Sequence, residues 1–402
     1  MLAASISSRA KNSISRIYRK AFLILGKLPR KKNVIVFESF HGKQFSCNPR
    51  AVYEYLNEHH PEYNMYWSVN KSDRHKFEGL GLKLLTRFRL KWLFYMATAQ
   101  FWVINTRLPL WMKKPKKTVY LQTWHGTPLK KLGLDISDVK MPGTTTEKYR
   151  RNFITESSNW DYLIAPNKYS AEIFKKAFKY EKNMLLTGYP RNDILYKSDD
   201  ENVKSEFITK TNLPKDKRII LYAPTWRDDE FIEVGKYKFS LQMDLKKMQE
   251  QLGSEYIVLL RMHYLIAEKL ELDEFRGFAF NFSNWEDIRE LYLVSDLLIT
   301  DYSSVFFDYA NLNRPVIFYV YDLEKYKEEL RGFYFDFETS APGPLVTTTD
   351  EIIKTIKGLE KQHDNQCISS SFREKYCAWE DGHASQRVVN EVFLSRNPSK
   401  RQ

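Results

Sequence analysis

The sequence predicts two α/β domains, each built on a doubly wound parallel sheet, facing one another across a central cleft. Three observations carry this. From Asn33 onward, short β-rich runs alternate with longer helical patterns, as parallel sheets with crossover helices require. A helical pattern feeding a buried strand occurs twice: RLKWLFYMATA into QFWVINT at Arg89–Thr106, and DIRELYLVS into DLLIT at Asp287–Thr300. Between these halves lies the polar stretch KSDDENVKSEF, after which RIILYAPTW opens a new strand, so the boundary falls near residue 200. A chain of 402 residues, 43% hydrophobic, also suits two cores better than one.

The elements follow in order. NVIVFES reads as a strand, HGKQFSCNPR as a loop, Pro49 to His59 as a helix and Tyr63 to Val69 as the next strand, a βαβ start. TVYLQ is a strand through Leu121 that turns at Gly126 and Pro128, with a helix able to start near Pro128, since proline suits a first helical turn. In the second half, Tyr256 to Leu260 is a continuous apolar strand, and DLLIT delivers DYSS to the start of an amphipathic helix. The expected organisation is a basic segment over residues 1–32, one Rossmann-like domain over 33–200 and a second over 201–402 that ends in a helix.

The net charge of +13 implies a polyanionic partner: a nucleic acid, an anionic membrane or a phosphorylated substrate. Nine cations from Arg9 to Lys32 precede the first acid, Glu38, while Ile14, Ile17, Tyr18, Phe22 and Leu25 follow helical spacing. A helix here has an apolar stripe flanked by cations and suits an anionic leaflet; alternatively it docks on the protein's own body. The run Ala21–Leu25 is too short for a signal-peptide core, which argues against secretion. The most apolar window, Trp92 to Ile104, falls short of the ~20 residues that span a bilayer, so no transmembrane helix is expected. Cys47, Cys367 and Cys377 are odd in number and lack CxxC spacing, against disulfides or structural zinc and in keeping with the cytoplasmic side.

Chemistry-bearing residues cluster at strand ends. His125, after TVYLQ, can act as a general base on a hydroxyl, its ordinary pKa of about 6.5 leaving it mostly neutral; the alternative is a core histidine beside Trp124. Lys130 and Lys131 add anion attraction. Arg261 and His263 project alike beyond an apolar strand, so both can reach one phosphate, unless they are a surface arginine and a buried histidine. Asp301, Ser303 and Ser304 lie at a helix N-terminus, where amides and hydroxyls can grip a diphosphate or where the side chains serve as ordinary caps. Asp308, one turn in, bonds a ligand or a facing loop. Thr225, Trp226 and Arg227 add a cation and an aromatic wall to the cleft, and the adjacent Asp228 and Asp229 read as solvated charge or caps rather than magnesium ligands. GYPRND at Gly188–Asp193 and ESFHGKQ at Glu38–Gln44 are weaker signals, with His41 on the acceptor side or a plain loop residue.

At these residues the sequence resembles the CDP-glycerol glycerophosphotransferase family, which primes and polymerises wall teichoic acids in Gram-positive bacteria. ESFHGKQ, WHGTPLK, GYPRND, APTWRD, RMHY, DYSSVFFDYA and GFYFDFETSAPGPLV occur in the family's order over some three quarters of the chain. The resemblance implies a GT-B fold, an N-terminal domain meeting acceptor and membrane, and a C-terminal domain binding CDP-glycerol. It implies catalytic roles for His125 and His263, and donor contacts from Arg261, Asp301, Ser303, Ser304 and Asp308, to which Thr225 and Arg227 are added. His41, Gly126 and Lys130 are placed on the acceptor side. The implied reaction moves glycerol phosphate onto an undecaprenyl-diphosphate-linked teichoic acid primer and releases CMP, at the cytoplasmic face of the membrane. No cofactor, metal or nucleic acid is expected, and a homo-oligomer stays open. A primase, a CDP-ribitol enzyme and a GT-B nucleotide-sugar glycosyltransferase are the alternatives. A nucleic-acid-binding protein is disfavoured because no RNA-recognition, zinc-finger or helix-turn-helix signature occurs.

Overall fold

The first strand shows how the sheets are built. In β1 (Lys31–Glu38), Val34 and Val36 pack in one apolar cluster with Trp92 and Trp102, while Ile35 and Phe37 pack in another with Val52 and Trp67. Alternate side chains thus leave opposite faces, and both faces are covered, as in parallel sheets. The computed structural model describes residues 15–139, 143–197, 200–225, 231–233, 236–237, 241–262, 271–325, 332–359 and 367–395.

After β1 come β2 (Asn64–Val69), β3 (Leu84–Thr86), β4 (Ala99–Ile104), β5 (Val119–Gln122), β6 (Tyr162–Ala165) and β7 (Asn183–Leu186). They form a parallel sheet of order β3-β2-β1-β4-β5-β6-β7, with Val36 opposite Trp102 where β1 meets β4. The second half follows with β8 (Arg218–Tyr222) and a small antiparallel pair, β9 (Phe231–Glu233) and β10 (Lys236–Tyr237). It continues through β11 (Tyr256–Leu260), β12 (Ala279–Asn281), β13 (Leu297–Thr300), β14 (Val316–Tyr319) and β15 (Leu345–Val346). Its sheet is parallel with order β12-β11-β8-β13-β14-β15. In both sheets the strand order reverses beside the first strand, and such switch points open crevices at the strands' carboxyl ends. β8 repeats the two-faced burial: Ile219 and Leu221 enter one cluster, Ile220 and Tyr222 the other.

The α-helices described up to residue 309 are α1 (residues 15–25), α2 (Cys47–His59), α3 (Leu90–Thr98), α4 (Thr146–Ser157), α5 (Lys168–Ala177), α6 (Ile194–Lys197), α7 (Asp200–Thr211), α8 (Leu245–Leu252), α9 (Ile288–Val294) and α10 (Val305–Tyr309). α1 docks on the body by one face. Phe22 is fully buried and, like Tyr18, meets Trp111 edge-on, and the Tyr18 hydroxyl donates to the Arg89 carbonyl. Its other face is exposed, Ile17 by 68% and Ile24 by 65%. Among the described residues no helix is long and apolar enough to cross a membrane.

Two departures from the sequence pattern shape the site. The crossover from β4 to β5, residues 105–118, carries no helix, although Leu108 and Met112 are buried in it. No helix begins near Pro128 either. Leu129 to Lys131 run extended instead: the Leu129 carbonyl accepts from Tyr334 N–H, and Lys131 N–H donates to the Gly332 carbonyl. Backbone groups that a helix would have used are satisfied by pairing with the second half.

At its end the chain returns to the first sheet. Asp193 accepts the N–H groups of Ala384 and Ser385 at the start of the helix Ala384–Val389, the end at which a carboxylate is favoured. Val388, Val389, Val392 and Phe393 then join the cluster of Ile35 and Phe37, with the Phe393 ring 4.6 Å from that of Phe101. Phe393→Ala is expected to cost about 3–5 kcal/mol, the range for emptying a buried aromatic site. Urea unfolding measures it, and a loss below about 1 kcal/mol would show that this return is not part of the first core.

Candidate active site

The described candidate residues lie at or just beyond the carboxyl ends of strands at the two switch points or next to them. Each end loop is held by named bonds. Asn105, directly after β4, accepts Phe40 N–H on Oδ1 and donates from Nδ2 to Ser39 Oγ, fixing the turn that carries His41. Its carbonyl oxygen lies 2.7 Å from Nδ1 of His125. A carbonyl only accepts, so Nδ1 carries the proton and the lone pair of His125 sits on Nε2. The ring is stacked on Trp124, with centroids 4.7 Å apart. Burial pushes His125 down to about 4, opposed by the Asn105 carbonyl and helped by the charges of Arg191 and His41. His125 is therefore a neutral imidazole with a fixed tautomer, suited to accept a proton on Nε2.

His41 is also pushed down to about 4, first by burial and then by Arg87, Lys43 and Arg107. Its backbone is left-handed (φ 60°), as are those of Phe40 (φ 46°), Gly42 (φ 76°) and Trp124 (φ 52°). Such conformations are strained for residues with a Cβ and persist where surrounding bonds hold them. Arg87 supplies one: its guanidinium donates to the His41 carbonyl and pairs with buried Glu38 at 3.1 Å. Gly42 has no room for a side chain, since a Cβ would come within 2.8 Å of the backbone at Ser68 and Asn70. His41 and His125 line one cavity of about 650 Å³, with Arg107, Leu110, Trp124 and Glu156 among its other walls.

The cavity is lined by first-half residues, and the two halves meet beside it, behind the His125 loop. The Gly188–Asp193 segment, a weak signal in the sequence, is the hub. Arg191 is buried and bonds Asp308 Oδ2 at 2.6 Å, the His125 carbonyl at 2.8 Å and Cys47 Sγ at 3.3 Å. Asn192 bonds Asp308 Oδ1 and Glu380, whose carboxyl burial raises to about 8. Both oxygens of Asp308 thus accept bonds from the facing loop, which makes it a clamp between the halves. Arg261 is likewise committed: Nη1 bonds the carbonyls of Phe282, Ser283 and Trp285, so it braces the turn after β12 instead of presenting that nitrogen to a phosphate. That turn reaches back across the cleft, where Glu286 accepts Phe45 N–H and Asp287 pairs with Arg50.

Asp301 is buried and accepts Thr225 N–H at 2.7 Å, bringing those two predicted residues together at the ends of β13 and β8. Ser304 precedes α10 without a side-chain cap bond, and a Cβ on Gly126 would lie 3.0 Å from its Oγ. The capping alternative therefore fails for Ser304, and the WHG and DYSS loops touch. Because α10 is only five residues long, amides and hydroxyls at Ser303 and Ser304, rather than a summed helix dipole, are what this end offers. Lys130 pairs through its backbone with Phe333, at the seam between halves. His263, Arg227, Trp226, Asp228 and Asp229 lie outside the described residues. Among the described residues no group of three or more His, Cys, Asp or Glu side chains is placed to hold a metal.

The family model described as CDP-Glycerol:Poly(glycerophosphate) glycerophosphotransferase matches residues 20–394. The chain is 56% identical over 389 residues to the teichoic acid poly(glycerol phosphate) polymerase of Bacillus subtilis (strain 168), which covers 96% of this chain. It spans about half of that relative, 52% of its length. It is 47% identical to the teichoic acid glycerol-phosphate transferase of Staphylococcus aureus (strain NCTC 8325 / PS 47), covering 95% of this chain and 99% of that one. A structure of the wall teichoic acid polymerase TagF, soaked with CDPG, superposes with a TM-score of 0.87 at 41% identity, covering 98% of this chain and 97% of that one. The paired parallel-sheet domains are thus the GT-B arrangement.

Asp308→Ala is expected to destabilise the protein by about 3–5 kcal/mol, because Arg191 is left as a buried, unpaired charge. Removing both charges in Arg191→Met with Asp308→Leu should cost less than the sum of the single changes. Denaturant unfolding of the wild type, Arg191→Met, Asp308→Leu and their combination checks this, and additive costs would show that the pair is not coupled.

Proposed function

The chain belongs to the CDP-glycerol:poly(glycerophosphate) glycerophosphotransferase family, and from that membership and the geometry around His125 we propose that it transfers glycerol phosphate from CDP-glycerol to a lipid-linked teichoic acid primer. The observation that carries the reading is His125, a neutral imidazole whose Nδ1 is committed to Asn105 and whose ring lines a cavity of the first half, with the second half packed against its loop. An acceptor hydroxyl held there attacks the β-phosphorus of CDP-glycerol. A new P–O bond forms, the pyrophosphate P–O bond breaks, CMP leaves, and the hydroxyl proton passes to Nε2 of His125. Phosphoryl transfer asks the protein chiefly for position and charge. Ser303, Ser304 and the amides of their loop receive the diphosphate, with His263 and Arg227 assigned to the same side from their sequence positions.

A membrane surface belongs to the same reading. The exposed residues Ile17, Ile24, Leu28, Phe88, Leu90 and Leu110 lie on α1 and on the segments that α1 touches, interleaved with Arg16, Lys20, Lys27 and Lys91. Apolar side chains among cations suit the anionic interface, and Leu110 is also a wall of the cavity, so a lipid-linked acceptor has a short path to His125.

Four outcomes test these statements. Incubation with CDP-glycerol and a primed lipid acceptor is expected to release CMP; release of a nucleoside diphosphate from a nucleotide-sugar instead would establish the glycosyltransferase alternative. His125→Ala should lower turnover by roughly 10²–10⁴-fold at saturating substrates. In the parent, the acid limb of kcat/KM should fall below pH 6, because an imidazole pushed down to about 4 stays unprotonated, and active, to lower pH than an ordinary one. An acid limb at 6.5 or above, or a fully active His125→Ala protein, sinks the assignment of the base. For the membrane, Ile17→Asp with Ile24→Asp should reduce co-sedimentation with phosphatidylglycerol vesicles several-fold; unchanged binding would remove this face from the reading.

A further inference from the structure

The cavity beside His125 contains a cation with no role so far. Arg107 follows β4 in the helix-free crossover, and its guanidinium lies 4.6 Å from the centroid of the Phe153 ring and 5.3 Å from that of Tyr149. Two aromatic rings hold the plane of the group, as suits arginine better than lysine. Among the described residues no carboxylate lies within ion-pair distance of it. The other guanidinium lining the cavity, Arg87, is occupied by Glu38 and the His41 carbonyl. The acid that shares the wall, Glu156, makes its hydrogen bonds elsewhere: its Oε1 accepts Leu108 N–H and the Tyr120 hydroxyl, and burial raises it to about 7 against a weaker pull from those bonds and from Arg107. Arg107 therefore keeps its charge and its donors for a guest. Around it, Leu110 and Trp124 offer apolar walls to a short carbon chain, and His41 and His125 share the same space.

We propose that Arg107 is the specificity-determining residue for the acceptor, binding the phosphate that joins its last glycerol unit while that unit's free hydroxyl faces His125. This rests on the transfer reaction proposed above and adds the part of the acceptor that is recognised. An acceptor ending in sugar hydroxyls offers neutral groups at this point, whereas one already carrying glycerol phosphate offers an anion, and guanidinium-to-phosphate bonds are among the stronger hydrogen bonds a protein makes. The residue thus selects acceptors that have been primed by an earlier glycerol-phosphate transfer, and every product regenerates the recognised end.

The test compares the wild-type protein with Arg107→Gln and Arg107→Lys. Calorimetry reads binding of a short soluble glycerol-phosphate oligomer in the absence of CDP-glycerol. CMP release is followed separately with two lipid-linked disaccharide acceptors, one bearing a terminal glycerol phosphate and one without. Arg107→Gln is expected to weaken oligomer binding and to raise the acceptor KM at least tenfold for the phosphate-bearing substrate. KM for CDP-glycerol should stay within twofold, preference between the two acceptors should collapse, and Arg107→Lys should recover part of the loss. Unchanged oligomer binding, or equal losses on both acceptors, overturns the role of Arg107 even if CMP release is normal. Weakened oligomer binding with no CMP release from the wild-type protein sustains Arg107 and overturns the transfer reaction instead.

Discussion

The buried ion pair between Arg191 and Asp308 is the constraint on which the site depends. One guanidinium reaches Asp308 in the second half, the carbonyl of His125 in the first, and the sulfur of Cys47 at the start of α2. Burying both charges costs solvation that their attraction only partly returns, so the pair is a poor source of net stability compared with apolar residues of similar size. Its consequence is positional. With Asp308 also held by Asn192, and Asn192 by Glu380, the WHG loop, the GYPRND loop and α10 share a single frame. Gly126 can approach Ser304 to within the reach of a methyl group because that frame fixes the spacing.

Strain gathers in the same place. Phe40, His41 and Trp124 all adopt left-handed backbone, each at a cost of order 1–3 kcal/mol. The compensation is local and identifiable: Asn105 holds Phe40 and His125, and Arg87 holds His41. A helix over residues 105–118 would cover this face of the sheet, whereas the irregular crossover leaves a cavity and puts Arg107 and Leu110 on its wall.

Much of the scaffold was legible because buried parallel strands are written as continuous apolar runs. Tyr256–Leu260 begins and ends where its composition says, and QFWVINT and DLLIT coincide with β4 and β13 to within a residue or two. Strand ends were legible too, and with them His125, Asp301 and Ser304. What was not legible is which polar groups spend their bonds on the protein. Arg261 next to an apolar strand reads the same whether it meets a phosphate or three carbonyls, and Asp308 reads the same whether it meets a ligand or Arg191. Proline at 128 signals a helical start from local preference alone, but pairing with residues 332–334 is a contact some 200 positions away. The signal for Arg191 and Asn192 was present in GYPRND; its weight became clear only with the partner loop beside it.

On the function proposed above, the net charge of +13 serves two uses that differ in physics. The cations on α1 and its neighbours are exposed and interleaved with Ile17 and Ile24, so their pull on an anionic surface is spread over many groups and is screened within about 8 Å at physiological ionic strength. Arg107 is one charge on two aromatic rings inside a cavity, where an approaching phosphate exchanges water for oriented donors and screening is much weaker. Collection at a surface and selection of a chain end are therefore separable by salt: added electrolyte loosens the first while leaving the second largely intact. A protein that kept its cations only on the surface would gather every anionic lipid alike. On the proposed reading, placing one of them beside His125, beyond ion-pair distance of Glu38 and Glu156, turns general attraction into a choice of acceptor.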